Sequence, residues 1–210
     1  MASKTKVVKG GNGKAPAEGK EVVAFPDIEL RVMEVAIVGD SPLVMNRFSE
    51  KAQTEIEESQ GKNAKPQKEA RNPEAEYKAA THRLSNGKPG FPAAGFKKAA
   101  VGACRYVDGI PMTEARGAFF VLGDLVPILG SAPKMRTDMV RIKGKTSVPR
   151  YRPEFTEWSA VLTIRYNASA LSAEQIIHLI DVAGFGVGVG EWRPQKDGSW
   201  GMWHVEKGGK

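Results

Sequence analysis

Residues 28–38 (Ile-Glu-Leu-Arg-Val-Met-Glu-Val-Ala-Ile-Val) place apolar side chains at alternate positions and then run continuously apolar, which predicts a strand entering a core. Gly39-Asp-Ser-Pro42 ends it. Residues 47–81 are polar, rich in Glu, Lys, Gln and Ala with nearly balanced charge, and predict an exposed, solvated helix-and-loop insertion. Phe91-Pro92 then introduces a helix over 93–107, where Phe96, Ala99, Ala100, Ala103, Cys104 and Val107 recur at spacings of three and four and form one apolar face. An apolar run over 118–128, punctuated by Gly123 and Pro127, predicts a strand followed by a bend or edge. The clearest alternation lies at 157–166, with Trp158, Ala160, Leu162, Ile164 and Tyr166 on one side. Ser172 and Gln175 form a capping box that opens a helix over 173–183, which Gly184 terminates. Lys196-Asp-Gly198 predicts a hairpin turn leading to a short strand over 200–205.

The resulting order is βαββαβ. It predicts an α+β fold, a ferredoxin-like or RRM-like antiparallel sheet with a helical insertion at about 47–88 and a basic excursion at about 129–153. The domain is expected over 25–206, with a disordered basic tail at 1–24 and a short one at 207–210.

Composition sharpens this picture mainly through charge. The chain has 210 residues and a formal charge of +7, yet residues 1–20 alone carry five lysines against one glutamate. Between 131 and 153 lie Lys134, Arg136, Arg141, Lys143, Lys145, Arg150 and Arg152 against Asp138 alone, a local +6. Clustered cations suit a polyanion, because each phosphate neutralised releases counterions. The tail reads as a solvated extension. In the second segment Met135, Met139, Val140, Ile142, Val148 and Tyr151 provide packing groups that would hold the cations in place. No run approaches the roughly 18 apolar residues of a membrane-spanning helix, so a soluble, cytoplasmic protein is expected, with no membrane partner. Cys104 is the sole cysteine, which excludes an internal disulfide and a cysteine metal cluster.

Candidate chemistry is sparse. His82, His178 and His204 lack metal-ligand spacing, and neither a metal nor another cofactor is expected. Gly184-Phe-Gly-Val-Gly-Val-Gly190 follows a helix instead of preceding one, so it fails as a dinucleotide fingerprint. Its glycines Gly184, Gly186, Gly188 and Gly190 either present backbone N–H groups at close approach or simply permit tight turns. Trp192, Trp200 and Trp203 crowd Arg193 near the C-terminus. They offer a stacking platform for bases, or split between core and surface if the last two lie on opposite faces of a strand.

Gly90-Phe-Pro-Ala-Ala-Gly-Phe-Lys-Lys-Ala-Ala100 resembles an element of the RAMP superfamily, RNA-binding proteins that include backbone subunits of CRISPR effector complexes. The glycine-rich stretch 184–190 followed by Gly198-Ser-Trp-Gly201 is similar to that family's glycine-rich loop. Ser41-Pro-Leu-Val-Met-Asn-Arg-Phe-Ser-Glu-Lys51 and Gly190-Glu-Trp-Arg-Pro194 resemble segments of small phage and prophage proteins. The resemblance implies a loop and helix N-terminus against the nucleic-acid backbone, with Lys97, Lys98 and Arg105 near phosphates and the basic hairpin reaching a neighbour or the strand. Ala93 and Ala94 stand where that element carries hydroxyls, so contacts there would come from backbone N–H groups.

Together these features lead to the expectation of a non-enzymatic protein that coats single-stranded RNA or DNA. It would oligomerise along the strand, with other complex subunits as further partners. The candidate contacts are Arg47, Lys97, Lys98, Arg105, Lys134, Arg136, Arg141, Lys143, Lys145, Arg150, Arg152 and Arg193, with the four glycines. Two alternatives are a phage assembly protein using protein contacts only, and a RAMP-like ribonuclease using Asp124 or Asp138.

Overall fold

The computed structural model describes residues 28–47, 71–142 and 146–207. The N-terminal tail, most of the insertion, the last three residues, and the candidates Lys143 and Lys145 lie outside the described residues.

The alternating segment forms β9 (Trp158–Asn167), whose even-numbered residues through Tyr166 are buried. It is the centre of the main sheet. Along its length it pairs antiparallel with β1 (Leu30–Gly39), with Val35 opposite Leu162. On its other edge lie β4 (Phe119–Val121) and β6 (Leu129–Gly130), while β1 pairs in turn with β10 (Trp203–Val205). The order β10-β1-β9-β4, all antiparallel, is the 4-1-3-2 arrangement of a split βαβ pair. The fold is therefore α+β and ferredoxin-like.

Two helices cover one face of this sheet. One is Ala93–Ala103 and the other Ala173–Gly186, and they pack on each other. The second opens as expected: the Ser172 side chain accepts from Gln175 N, and the Gln175 side chain accepts from Ser172 N. Trp203, Phe96 and Phe119 are fully enclosed between helices and sheet, along with Ile37, Leu162 and Ile164. Cys104 is buried at the end of the first helix, as its place on the apolar face implied. The opposite face of the sheet is open and displays Leu30, Val32, Phe120, Leu129 and Val161.

Elsewhere the structure departs from the sequence pattern. A short helix, Met112–Ala118, precedes β4, in the stretch between the predicted helix and the apolar run to which the pattern assigned no element. In chain order the described helices are thus α1 (Pro73–Ala79), α2 (Ala93–Ala103), α3 (Met112–Ala118) and α4 (Ala173–Gly186). The predicted strand 118–128 is broken in two, and a third short strand follows directly after it. Gly123 at φ 87° turns the chain, β5 (Leu125–Pro127) leaves to pair with β3 (Gly90–Pro92), and β6 returns to β9. The helix expected to reach 107 stops at Ala103.

The glycine-rich stretch is not a loop throughout, because α4 continues through Gly186. At Gly184 a side chain would overlap the Trp203 carbonyl oxygen, so the absence of a Cβ lets α4 lie directly against β10. Gly188 and Gly190 do lie beyond the helix, both with positive φ. The Asp-Gly hairpin is also absent. Pro194 starts a 3-10 turn over Pro194–Lys196, Asp197 closes it in the left-handed region, and β10 pairs with β1 instead of with 191–193. A proline with its φ already set and no N–H favours such a turn over a ladder.

The basic excursion is an antiparallel ribbon. Strand β7 (Lys134–Ile142) pairs throughout with β8 (Thr146–Phe155), and β8 continues the ladder to β2 (Leu43–Val44). Its root is tied to the body through Met45 N donating to Pro153 O at 3.1 Å and the Tyr77 hydroxyl donating to Pro133 O at 2.8 Å. A free two-stranded ribbon is marginal in water. These ties, and the packing of α1 on β8, are what give it support.

Candidate nucleic-acid interface

Along β7 the side chains of Lys134, Arg136 and Asp138 share one face by the two-residue period, and their cross-strand partners are Glu154, Arg152 and Arg150. Two of these arginines serve the ribbon itself. Arg136 donates from Nε to Asp138 Oδ1 at 2.8 Å and from Nη1 to Glu154 Oε1 at 3.0 Å. Arg152 is 6% exposed, and its Nη1 lies 3.5 Å from Asp138 Oδ2. Lys134, Arg141 and Arg150 are exposed and make no ion pair among the described residues. The basic segment therefore separates into inner cations that are neutralised and outer cations that are available.

Residues 90–105 separate in a similar way. Lys98 and Arg105 are exposed. Lys97 turns inward, donating to Ala115 O at 2.7 Å and to Phe119 O, with its ammonium 3.7 Å from the centre of the Phe119 ring. It satisfies carbonyls at the end of α3 and so is placed away from a strand on the surface. The first amide of α2 is also taken, since Ala93 N donates to Asp124 O at 3.0 Å. Nothing in the local sequence marks Lys97 apart from Lys98; the helical phase, once α3 exists, decides it.

Burial lowers the Lys97 pKa to about 8. The unfolded chain keeps this proton up to the ordinary value of 10.5, so between those two pH values it binds more protons than the folded chain. Stability contributed at this position therefore rises with pH across that window and is lowest below it. Lys97→Met removes the titration, and the wild-type-minus-variant difference in unfolding free energy is expected to climb from about pH 8 to about pH 10. A flat difference in urea titrations would contradict this.

Arg193 is half-buried and donates to Gly190 O at 3.0 Å, bracing the loop after α4. Arg47 is exposed, and its backbone N–H donates to Ala80 O at 2.9 Å. Of the tryptophans, Trp203 is in the core, whereas Trp192 is 48% exposed and Trp200 half-buried. Arg136 lies over the Trp200 ring at 4.1 Å, joining the ribbon to the C-terminal loop across a contact that no local motif announces. Asp124 sits in the turn after β4, while Asp138 is held between two arginines. Among the described residues no group of three His, Cys, Asp or Glu is placed to hold a metal ion. Among them, too, no helix is long and apolar enough to cross a membrane.

Solved structures to which this chain is similar include two of low sequence identity. The crystal structure of Cmr6 from Pyrococcus furiosus matches 86% of this chain and 100% of its own, at TM-score 0.45 and 10% identity. In the cryo-EM structure of the Type III-B Cmr-beta complex bound to cognate target RNA, one chain matches at TM-score 0.49 and 11% identity. That match covers 85% of this chain and 59% of the other. No protein-family model matches the sequence, and no curated protein does.

Proposed function

We propose that this protein binds single-stranded nucleic acid through its backbone, without catalysis, and lines up with further copies or other subunits along the strand. The observation that carries this reading is the ribbon. It stands on a braced root, its inner arginines are neutralised by Asp138 and Glu154, and Lys134, Arg141 and Arg150 remain exposed and unpaired among the described residues. Exposed Lys98 and Arg105 on the RAMP-like element add a second basic site. Contacts of this kind position a strand without reading its sequence.

Replacing Lys134, Arg141 and Arg150 together with Ala is expected to weaken binding of a single-stranded oligonucleotide about tenfold at moderate salt. The log–log salt slope should become shallower by about 2, since each phosphate neutralised on a single strand contributes ~0.7. RNA and DNA oligonucleotides of equal length, measured by fluorescence anisotropy, provide the test; an unchanged slope on both would refute the assignment.

A second reading, an assembly protein acting through protein contacts alone, is favoured by the open sheet face with Leu30, Val32, Phe120, Leu129 and Val161 exposed. Size exclusion with and without oligonucleotide separates the two, because assembly without nucleic acid supports the second.

A further inference from the structure

At the foot of the ribbon, a wide-mouthed cleft of about 330 Å³ is lined by Arg136, Asp138, Trp192, Gly198, Ser199 and Trp200. The indoles of Trp192 and Trp200 meet edge to face, with centroids 6.2 Å apart and planes at 74°. Their loop is tightly tied. Trp200 N donates to Trp192 O at 3.0 Å, Gly198 N donates to Arg193 O at 3.2 Å, and a side chain at Gly198 would overlap the Trp192 carbonyl. Trp192 is held at φ 55° with nearly half its surface open. Arg136 is oriented by Asp138 and Glu154 and covers Trp200 from the ribbon side.

The walls specify the occupant. Indole faces and a guanidinium plane suit a flat aromatic group. A phosphate inside would face the Asp138 carboxylate, whose Oδ1 already accepts from Arg136 and whose Oδ2 is enclosed. Lys134 and Arg150 stand on the same face of the ribbon as Arg136, and both are exposed, so anionic groups have cations outside the cleft. Its volume is at the small end for ligand sites, which run from about 300 Å³ upward, and matches one base better than two. The Ser199 hydroxyl is exposed at the rim, where a base edge could meet it.

We infer that this cleft takes one unstacked nucleobase of the bound strand, stacked on Trp192 and edge-on to Trp200, with its flanking phosphates at Lys134 and Arg150. This rests on the nucleic-acid reading above and adds a base-dependent term to a backbone-dominated contact.

The test uses the full chain, a single-stranded 12-mer, and an abasic 12-mer of equal charge. Stacking on one aromatic side chain corresponds to a roughly five- to hundredfold change in affinity. Wild type is expected to bind the base-bearing strand about tenfold tighter than the abasic one, with quenching of indole emission. Trp192→Ala should lose both the quench and the discrimination at an unchanged salt slope, while Trp192→Phe retains the discrimination. Ser199→Phe, which fills the cleft from its solvent side, should act like Trp192→Ala without touching the loop's backbone bonds. If wild type binds both strands equally, or if Trp192→Ala and Ser199→Phe discriminate as wild type does, the base site is refuted while the nucleic-acid reading stands. If wild type binds neither strand at low salt, both fall.

Discussion

Trp203→Ala is expected to lower the unfolding free energy by about 3–5 kcal/mol, the usual cost of emptying a buried aromatic position. Trp203 is 1% exposed, at the point where β10, α2, α4 and β9 meet. Its ring packs edge to face on Phe96 at 5.7 Å and on Trp158 at 6.4 Å, and its Nε1 donates to Ile180 O at 3.1 Å. Truncation leaves a cavity, removes two aromatic contacts and loses the indole hydrogen bond to a helix carbonyl. The hole cannot easily collapse, because Gly184 already brings the α4 backbone against the Trp203 carbonyl. Domains of this kind have only about 5–15 kcal/mol in total. The midpoint should therefore fall by roughly 10 °C or more in thermal unfolding, at about 2–4 °C per kcal/mol for this size. A shift under a few degrees would mean that Trp203 is not the centre of the core. Trp203→Phe should recover more than half of the loss.

Asp138→Ala is expected to cost about 3 kcal/mol, more than an aspartate on a two-stranded ribbon would ordinarily contribute. Exposed pairs such as Lys78 with Glu74 are worth about 0–1 kcal/mol. Asp138 differs because its side chain is 12% exposed and faces the Arg152 side chain, which is 7% exposed, at 3.5 Å. Among the described residues Arg152 Nε and Nη1 have no hydrogen-bond partner, so the carboxylate is the compensation for an enclosed guanidinium. Removing one member of such a pair strands the other charge, which costs more than the pair contributes. Replacing both, as Asp138→Leu with Arg152→Met, should return stability to within about 1 kcal/mol of wild type. Urea unfolding of the single and double variants measures this. A single variant as stable as wild type would show that Arg152 finds another partner. Loss of Asp138 also frees one of the two carboxylate contacts that orient Arg136 over Trp200, so the anchorage of the ribbon should loosen in parallel.

Much of the frame was legible because it rests on local periodicity. The two-residue alternation at 158–166 and the three-and-four spacing at 96–104 each determine which side of an element is apolar, and burial then follows. The capping box at Ser172 and Gln175 is local chemistry and formed as expected. The parts that differed were those in which a residue answers to a distant neighbour. The run 118–128 carries one uniform apolar signal, but its residues are divided between β4 and β5 because two separate partners, β9 and β3, compete for it. The glycines at 184 and 186 look like loop residues, yet both lie in α4, and at 184 a helix lying directly on a strand needs the same absence of a side chain.

The candidate interface shows the same division. Seven cations between 134 and 152 make a basic segment by composition alone, the apolar residues among them give it groups to pack, and the family resemblance implied that it projects as a hairpin. Which cations are free was not, because Arg136 and Arg152 acquire Asp138 and Glu154 only once the register of β7 on β8 is set. Lys97 and Lys98 are adjacent in sequence and opposite in fate, one capping α3 and the other exposed.

By itself the sequence determined the α+β class, the βαββαβ order, the buried faces of the long strand and the two long helices, and where positive charge concentrates. Each of these follows from side-chain periodicity and composition along a single segment. Only the tertiary structure decided the breaking of 118–128, the close seat of α4 on β10, the sorting of cations into paired and available, and the meeting of Arg136 with Trp200. Those depend on pairs of residues far apart in the chain, whose approach is set by strand register and core packing and leaves no trace in either segment alone.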